Sequence, residues 1–346
     1  MLIDVDLHHE IVDWQVVAPY VPEGLRWRVS RPNGPPMARH GYKQVGVLPG
    51  PPASDPARVK ADYIDRRGID RAILTGNVLA LGVQPNPDLS AAIARGVNDW
   101  TLATWVRPYD CFKGSILIAQ QDPIQAAAEI DRLGDDPGMV QVLMCSASES
   151  PFGRRMYHPI YEACVRHGLP LALHIGGEGA GISGRPTGAG NPTTFYEWYA
   201  SAPQVYMAHI VSMVAEGVFK KFPGLKVVLY EGGVGWLPHL MWRMEKDWKA
   251  QHAEVPWVEE PPNQYIRRHF YSTTYPIESL PPGQLAEIIE MAEADRTLLF
   301  AGNYPRQEYG DPLDMLQEIP ESMHPRIMSD NAIDLYGKRL YAPNNR

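Results

Sequence analysis

Histidine and carboxylate residues end several apolar segments of this 346-residue sequence. Asp6 and His8 lie two residues apart in LIDVDLH, so on a strand both side chains leave the same face. His174 ends LPLALH, and Glu231 follows LKVVLY. Carboxylate and imidazole groups from different strands suit Zn²⁺ or a first-row metal such as iron. These four residues are therefore the predicted ligands of a divalent metal, although Glu231 could instead hold a loop through backbone hydrogen bonds.

Three further polar residues could reach the same place. His209 lies beside the apolar stripe of PQVYMAHIVSMVAEGVFKKF, which has a helical pattern, so it is either a further ligand or a helix-surface histidine. Asn303 lies at the polar tip of LLFAGNYPR, and an amide can coordinate a metal but cannot carry a proton. Arg306 could pair with a substrate carboxylate or phosphate, or be a solvated loop residue.

The elements that must position these residues alternate between strands and helices. Amphipathic helices are predicted at 123–133 and at 157–167, the latter ended by Gly168. Eight apolar, β-rich segments read as strands: LIDVDLH, DRAILTG, GSILIAQ, MVQVLMC, LPLALHIG, LKVVLYEGG, FYSTTYP and TLLFAGNYP. This alternation predicts an α/β fold, a (β/α)₈ TIM barrel with long βα loops, over residues 1–346 as a single domain.

Composition narrows the class of partner. The formal net charge is −8 and no basic block is present, which argues against nucleic acid or an anionic membrane as a partner. No apolar run approaches the roughly 18 residues of a membrane span, and the three cysteines form no close-spaced metal motif. We therefore expect a cytoplasmic protein that acts on a small molecule.

Two aromatic-rich segments, WQVVAPYVPEGLRW and TTFYEWYASAPQVY, are predicted loops at the catalytic face. Their aromatic residues could line a pocket for a bulky apolar acyl group, or could pack the loops together. The candidates for such a substrate-binding pocket are Trp14, Trp27, Tyr196 and Trp198.

The sequence resembles the amidohydrolase superfamily, in particular the amidohydrolase 2 branch that includes aminocarboxymuconate-semialdehyde decarboxylase. The resemblance rests on IDVDLHHE, PIYEACVRHGLPLALHIGG, the segment 207–248, YSTTYP, LLFAGNYP and DNAIDLYG. It implies a barrel, a homo-oligomer such as a dimer, and a metal bound by Asp6, His8 and His174. A β8 aspartate normally completes the site in this family. Here Asn303 replaces it.

This replacement leads to three hypotheses about function. The leading one is a hydrolase that uses metal-bound hydroxide on an acyl thioester or ester, with Glu231, His209 and Asn303 in the active site. In this hypothesis the enzyme holds one or two ions, Fe or Zn, and is similar to diiron acyl-CoA thioesterases. A second cation would lower the need for a base that deprotonates the attacking water. A thiolate is a leaving group that does not have to be protonated by a strong acid. The alternatives are a metal-dependent non-oxidative decarboxylase and an inactive barrel retained as a binding protein.

Overall fold

Eight parallel strands form one sheet in which neighbours in sequence are neighbours in space, β1 to β8. The computed structural model describes residues 1–31, 34, 35, 37, 53–278, 280, 281, 283–307 and 309–345, so most of the predicted loop 32–56 lies outside the described residues. The strands are β1 (Ile3–Leu7), β2 (Arg71–Leu74), β3 (Phe112–Leu117), β4 (Met139–Cys145), β5 (Leu171–His174), β6 (Val227–Tyr230), β7 (Phe270–Thr273) and β8 (Leu298–Leu299).

The sheet closes between its last and first strands. The Val5 amide donates to the Phe300 carbonyl at 3.0 Å, and the His8 amide donates to the Tyr304 carbonyl at 2.8 Å. Phe300 and Tyr304 follow β8, so the polar tip of that strand lies beside the end of β1. The predicted (β/α)₈ barrel is therefore confirmed, and the residues after β1 and β8 are brought together.

Helices surround the strands, as the alternating pattern predicts. The α-helices of the described chain are α1 (Glu23–Val29), α2 (Pro56–Val59), α3 (Pro87–Thr101), α4 (Pro123–Leu133), α5 (His158–His167), α6 (Phe195–Ala200), α7 (Pro203–Ala215), α8 (Val218–Lys221), α9 (Leu237–Gln251), α10 (Pro262–His269), α11 (Gln284–Ala292), α12 (Pro312–Met315) and α13 (Asn331–Tyr336). Among these described helices, none is long and apolar enough to cross a membrane.

Local signals explain where two of the predicted helices begin and end. Before α4, the Asp122 side chain accepts a hydrogen bond from the Gln125 amide at 3.1 Å, and Pro123 occupies the first helical position. After α5, Gly168 adopts a φ of 62°, a left-handed conformation that ends a helix with little steric cost. Both helices therefore agree with the sequence pattern to within one residue.

The strand β3 begins two residues earlier than predicted, because pairing with β2 starts at Phe112 and includes Lys113. A lysine argues against a buried strand, yet Lys113 is fully buried. Its ammonium donates to the Ala342 carbonyl at 2.6 Å and to Oδ1 of Asn344 at 2.7 Å. The C-terminal segment thus supplies the polar partners that make this burial possible.

A hydrogen-bonded group inside the barrel connects the C-terminal helix α13 to the strand ends. Oε1 of Gln141 accepts hydrogen bonds from the hydroxyls of Tyr336 at 2.8 Å and Tyr230 at 3.0 Å. The Tyr230 ring stacks on the imidazole of His174 with centroids 5.5 Å apart. The polar groups of these three buried side chains are therefore paired with one another beside His174.

Candidate metal centre

Two buried residues of the first strand and its end converge inside the barrel. Nε2 of His8 lies 3.4 Å from Oδ1 of Asp6, and both side chains are completely buried. Nδ1 of His8 bonds to the Gly76 carbonyl at 2.7 Å, which directs Nε2 toward the interior. Thr75 donates to Oδ1 of Asp6 at 2.6 Å and fixes that carboxylate. Such outer partners set the orientation of metal-binding groups.

His174 reaches the same point from the end of β5. Its Nδ1 bonds to the Ile175 carbonyl at 2.9 Å, and its Nε2 lies 3.6 Å from Oδ2 of Asp6. The rings of His174 and His8 meet edge to face, with centroids 4.9 Å apart. Both imidazoles therefore have one nitrogen engaged by a backbone carbonyl and the other turned to a shared centre.

Glu231 approaches from the end of β6 with a left-handed backbone, φ 58°. Its Oε1 lies 3.4 Å from Nε2 of His8 and 3.6 Å from Nε2 of His174. Its Oε2 accepts a hydrogen bond from the Tyr199 hydroxyl at 3.0 Å. The Glu231 amide donates to Oγ1 of Thr273 at 3.2 Å, which secures the strained turn to β7.

The donor atoms fit a metal ion. One atom from each of Asp6, His8, His174 and Glu231 lies within 4.8 Å of the others. Within the described chain, Oδ2 of Asp6, Nε2 of both histidines and Oε1 of Glu231 have no hydrogen-bond partner. Four buried polar atoms facing one point without partners are costly, and a divalent cation would satisfy all of them. The centre can therefore hold a divalent metal.

The ionisable groups of the centre shift one another's pKa values. Burial raises the pKa of Asp6, but the nearby His8 and His174 outweigh that effect and hold it below its ordinary value. Burial likewise disfavours a charged His8, yet Asp6 and Glu231 raise its pKa to about 10. Negative charge in the centre is thus sufficient to stabilise a cation, whether a proton or a metal.

The structure does not bring His209 to this cluster. Nε2 of His209 bonds to the Ser146 carbonyl at 2.7 Å, and Nδ1 accepts from the Phe152 amide at 3.2 Å. The ring also stacks on Phe152 with centroids 3.9 Å apart. Burial lowers the pKa of His209 to about 4, so it is neutral at neutral pH. Both ring nitrogens are engaged, which corrects the prediction that this residue is a ligand or a proton carrier.

Asn303 lies at the tip after β8, where the family pattern has an aspartate. It is 2% exposed and adopts a φ of 48°. Its Oδ1 has no hydrogen-bond partner among the described residues. Because the His8 amide donates to the carbonyl of the next residue, Tyr304, the backbone at Asn303 lies next to the end of the first strand. Arg306 follows on the same loop and donates to Oδ1 of Asn77.

The aromatic residues predicted to line an acyl pocket lie elsewhere for the most part. Trp27 is 56% exposed on the short helix α1 and Tyr196 is 80% exposed on α6. Trp14 packs against the core, and Trp198 is buried beside Tyr199. Helices α1 and α6 each have one face against the protein, and the exposed residues lie on the other face. The exposure of Trp27 and Tyr196 argues against the prediction that these two side chains line a buried acyl pocket.

Two functional candidates were missed in the sequence. Tyr199 bonds to Glu231, although 32 residues separate them along the chain. Glu178 is 4% exposed, accepts a hydrogen bond from the Ser146 hydroxyl, and has its pKa raised by burial. The one sequence signal for Glu178 is its position after two glycines at the end of β5. For Tyr199 the sequence offers only its place in an aromatic segment.

Comparison with known proteins identifies relatives of this architecture. The family model Amidohydro_2, Amidohydrolase, matches residues 5–338. Gamma-resorcylate decarboxylase of Rhodococcus jostii (strain RHA1) is 26% identical over 238 residues, which cover 62% of this chain and 68% of that protein.

Solved structures show the same fold. Dihydroxybenzoic acid decarboxylase of Polaromonas sp. JS666, with bound manganese and the inhibitor 2-nitroresorcinol, is similar with a TM-score of 0.69 and 20% identity, over 99% of this chain and 98% of that chain. The 5-carboxyvanillate decarboxylase LigW of Sphingomonas paucimobilis has a TM-score of 0.67 and 21% identity, over 97% and 98%. At these identities, the likeness shows a shared barrel architecture.

These relatives overturn the predicted hydrolysis of an acyl thioester, because they are decarboxylases and none of them supports a thioesterase or its two iron ions. The prediction rested on the absence of a proton-carrying β8 residue. The absence of that residue does not decide between the two reactions, because the predicted carboxylate of Glu231, which comes from β6, is available to either. Because the family model matches residues 5–338, this chain belongs to the amidohydrolase family and is an enzyme of the amidohydrolase superfamily.

Proposed function

We propose that this protein is a metal-dependent, non-oxidative decarboxylase of a hydroxylated aromatic carboxylic acid. The observation that carries the proposal is the buried cluster of Asp6, His8, His174 and Glu231 at the strand ends. The support for the substrate class comes from relatives that decarboxylate gamma-resorcylate and 5-carboxyvanillate. Manganese in one related structure supports a first-row divalent ion.

In this proposal Asp6, His8 and His174 hold the cation, and Glu231 completes the ligand set. The ion supplies positive charge that orients an anionic substrate and withdraws electron density from it. The Gly76 and Ile175 carbonyls keep the two imidazoles in the tautomer that leaves Nε2 available. Beside His174, the buried side chains of Tyr230 and Gln141 are joined by a hydrogen bond, and the Tyr230 ring stacks on the imidazole.

The mouth of the centre is suited to an aromatic acid. Tyr199, whose hydroxyl contacts Glu231, lies parallel to Tyr309 with an interplanar angle of 6° and centroids 6.1 Å apart. Tyr309 is 49% exposed, so its ring offers an apolar surface to a benzoate ring at this point. On the β8 loop, Arg306 is the candidate partner for the substrate carboxylate, because a guanidinium can bind both carboxylate oxygens.

Decarboxylation of such a substrate needs a proton at the ring carbon that bears the carboxylate. As the proton adds there, the bond to the carboxylate carbon breaks, carbon dioxide leaves, and its bonding electrons restore the aromatic ring. Asn303 cannot supply that proton. We assign this proton to Glu231 in the form in which its carboxyl group is protonated and released from the cation; its side chain is 8% exposed, whereas those of Asp6, His8 and His174 are at most 1% exposed. It can therefore recover a proton from solvent.

The direct test is release of carbon dioxide from a panel of benzoates. Protein reconstituted with Mn²⁺ is incubated with 2,6-dihydroxybenzoate, 5-carboxyvanillate and unsubstituted benzoate. We expect turnover of one or both hydroxylated acids and none of benzoate, whose ring carbon is less electron-rich. A His174→Ala variant serves as the metal-site control. No carbon dioxide above that control from any of the acids would contradict the proposal.

A further inference from the structure

A short helix in the excursion between β5 and β6 carries a residue that contacts the metal centre. Tyr199 lies near the end of α6, and its hydroxyl donates to Oε2 of Glu231 at 3.0 Å. The other oxygen of that carboxylate, Oε1, lies 3.4 Å from Nε2 of His8. The two oxygens of Glu231 therefore have different surroundings, one engaged by a phenol and one facing the cluster.

Tyr199 is fixed from its own side of the contact. At the start of α6, Oγ1 of Thr194 accepts from the Glu197 amide at 3.2 Å, and Oε2 of Glu197 accepts from the Thr194 amide at 3.1 Å. This reciprocal cap holds a helix of six residues that would otherwise be marginal. The Phe195 ring stacks on Tyr199 one turn away, with centroids 5.4 Å apart.

A residue of the β8 loop also stacks on Tyr199. Tyr309 stacks on it with centroids 6.1 Å apart, and the Tyr309 amide donates to the Tyr275 hydroxyl at 2.8 Å. The loop after β7 thus holds Tyr309, which in turn stacks on Tyr199. Because the phenol ring is packed against both Phe195 and Tyr309, its hydroxyl has little freedom to leave the carboxylate.

We propose that Tyr199 is a positioning residue of the metal centre that acts through Glu231. Because its hydroxyl donates a hydrogen bond to Oε2 of Glu231, the other oxygen, Oε1, stays turned toward His8 and His174. This inference rests on the role that the proposed function gives to Glu231. If so, metal affinity depends on Tyr199, a residue of helix α6, as well as on the residues at the strand ends.

The physical reason is the torsional freedom of a glutamate. The last side-chain torsion of Glu is broad and nearly two-fold, so a carboxylate without a partner can turn either oxygen, or neither, toward a cation. A hydrogen bond to Oε2 removes that freedom before the cation binds. Loss of such an outer partner typically lowers metal affinity by about 10 to 100-fold. In this chain the effect depends on the carboxylate of Glu231 and vanishes without it.

The test measures Mn²⁺ binding without substrate, by titrating chelator-treated protein and following free Mn²⁺ by electron paramagnetic resonance. We expect Tyr199→Phe, which keeps the ring and its stacking, to weaken Mn²⁺ binding by about 10-fold. Tyr196→Phe is the matched control, because Tyr196 lies on the same helix and is 80% exposed. It is expected to bind Mn²⁺ like the wild type. Thermal unfolding of each variant checks that the fold is retained.

A double variant separates positioning from general structural damage. If Tyr199 acts through Glu231, Tyr199→Phe added to Glu231→Gln should weaken Mn²⁺ binding less than twofold beyond Glu231→Gln alone. Wild-type affinity in Tyr199→Phe, or a full additional 10-fold loss in the double variant, would overturn the inference. Since the measurement uses no substrate, the Mn²⁺ result stands apart from decarboxylation, and failure of the benzoate assay alone would count only against the proposed function.

Discussion

Oε1 of Glu231 lies 3.4 Å from Nε2 of His8, across the barrel mouth from the carboxyl end of β6 to that of β1. This contact gives the centre a second carboxylate although the tip after β8 supplies only the amide of Asn303. In the proposed function, Glu231 therefore has the proton-carrying role that the amide of Asn303 cannot have.

The first prediction compares these two residues. Glu231→Gln should lower kcat for decarboxylation by about 10²-fold or more, because a proton-transfer group is lost. Asn303→Gly should cost less, since it removes a neutral amide, and glycine tolerates the left-handed φ of 48° at this position. Steady-state kinetics, with the metal content of each variant measured, checks the comparison. A fully metallated Glu231→Gln enzyme that keeps wild-type kcat would show that another group delivers the proton.

A second prediction concerns Arg306. If it pairs with the substrate carboxylate, Arg306→Met should raise KM by about 10-fold or more and change kcat less. The reason is that the carboxylate loses its charge as carbon dioxide forms, so the ion pair stabilises bound substrate more than the transition state. The assay is carbon dioxide release over a range of substrate concentrations. A large fall in kcat at unchanged KM would instead place Arg306 in the chemical step.

Removal of the metal gives a third prediction. Chelator-treated protein should lose nearly all decarboxylase activity, and stoichiometric Mn²⁺ should restore it, because four buried polar atoms face the centre without partners among the residues that the structure describes. An Asp6→Asn variant should regain little activity at the same Mn²⁺ concentration, since Asp6 supplies negative charge to the centre. Undiminished turnover by protein shown to be free of metal would refute the metal dependence.

His209 leads to a prediction about stability and pH. Its pKa is lowered by burial to about 4 from a model-peptide value of 6.5, so the unfolded chain binds a proton in a range where the folded protein does not. Stability should therefore fall as the pH is lowered from about 7 toward 4, and His209 should account for about 2 kcal/mol of the loss between pH 7.5 and pH 5.

Urea unfolding at the two pH values measures this loss. His209→Gln, whose amide can donate to the Ser146 carbonyl and accept from the Phe152 amide, should show a smaller loss than the wild type by about that amount. The difference between the proteins isolates His209 from other buried histidines such as His9 and His269. Equal losses in both proteins would mean that His209 is protonated in the folded state.

The fold was predictable because its elements carry local signals. Apolar runs of strand length alternate with helices that have their own starts and stops, such as Pro123 before α4 and Gly168 after α5. The start of β3 at Phe112 was missed because Lys113 looks like a surface residue. Its burial depends on Asn344 and Ala342, more than 200 residues away, and no local pattern contains that contact.

The site was predictable only where strand geometry determines it. Asp6, His8, His174 and Glu231 end parallel strands, and parallel strands in a barrel bring their ends together. His209 and Tyr199 lie on helices, where the direction of a side chain depends on how the helix packs. The sequence pattern puts His209 beside an apolar stripe. In the structure its ring nitrogens are hydrogen-bonded to the Ser146 carbonyl and the Phe152 amide. The contact between Tyr199 and Glu231 likewise depends on loops whose course the sequence pattern does not determine.

The most direct test of the proposed decarboxylation follows two bonds together: the carbon–carbon bond that breaks and the bond to hydrogen that forms at the same ring carbon. Mn²⁺-loaded protein is incubated in D₂O with 2,6-dihydroxybenzoate labelled with ¹³C in the carboxyl group, and nuclear magnetic resonance follows the label and the ring. We predict that each labelled carbon dioxide released is matched by one deuterium at the ring carbon that bore the carboxylate, at a rate about 10²-fold lower in Glu231→Gln. No labelled carbon dioxide from the metal-loaded wild type, or equal rates in the two proteins, would contradict the account.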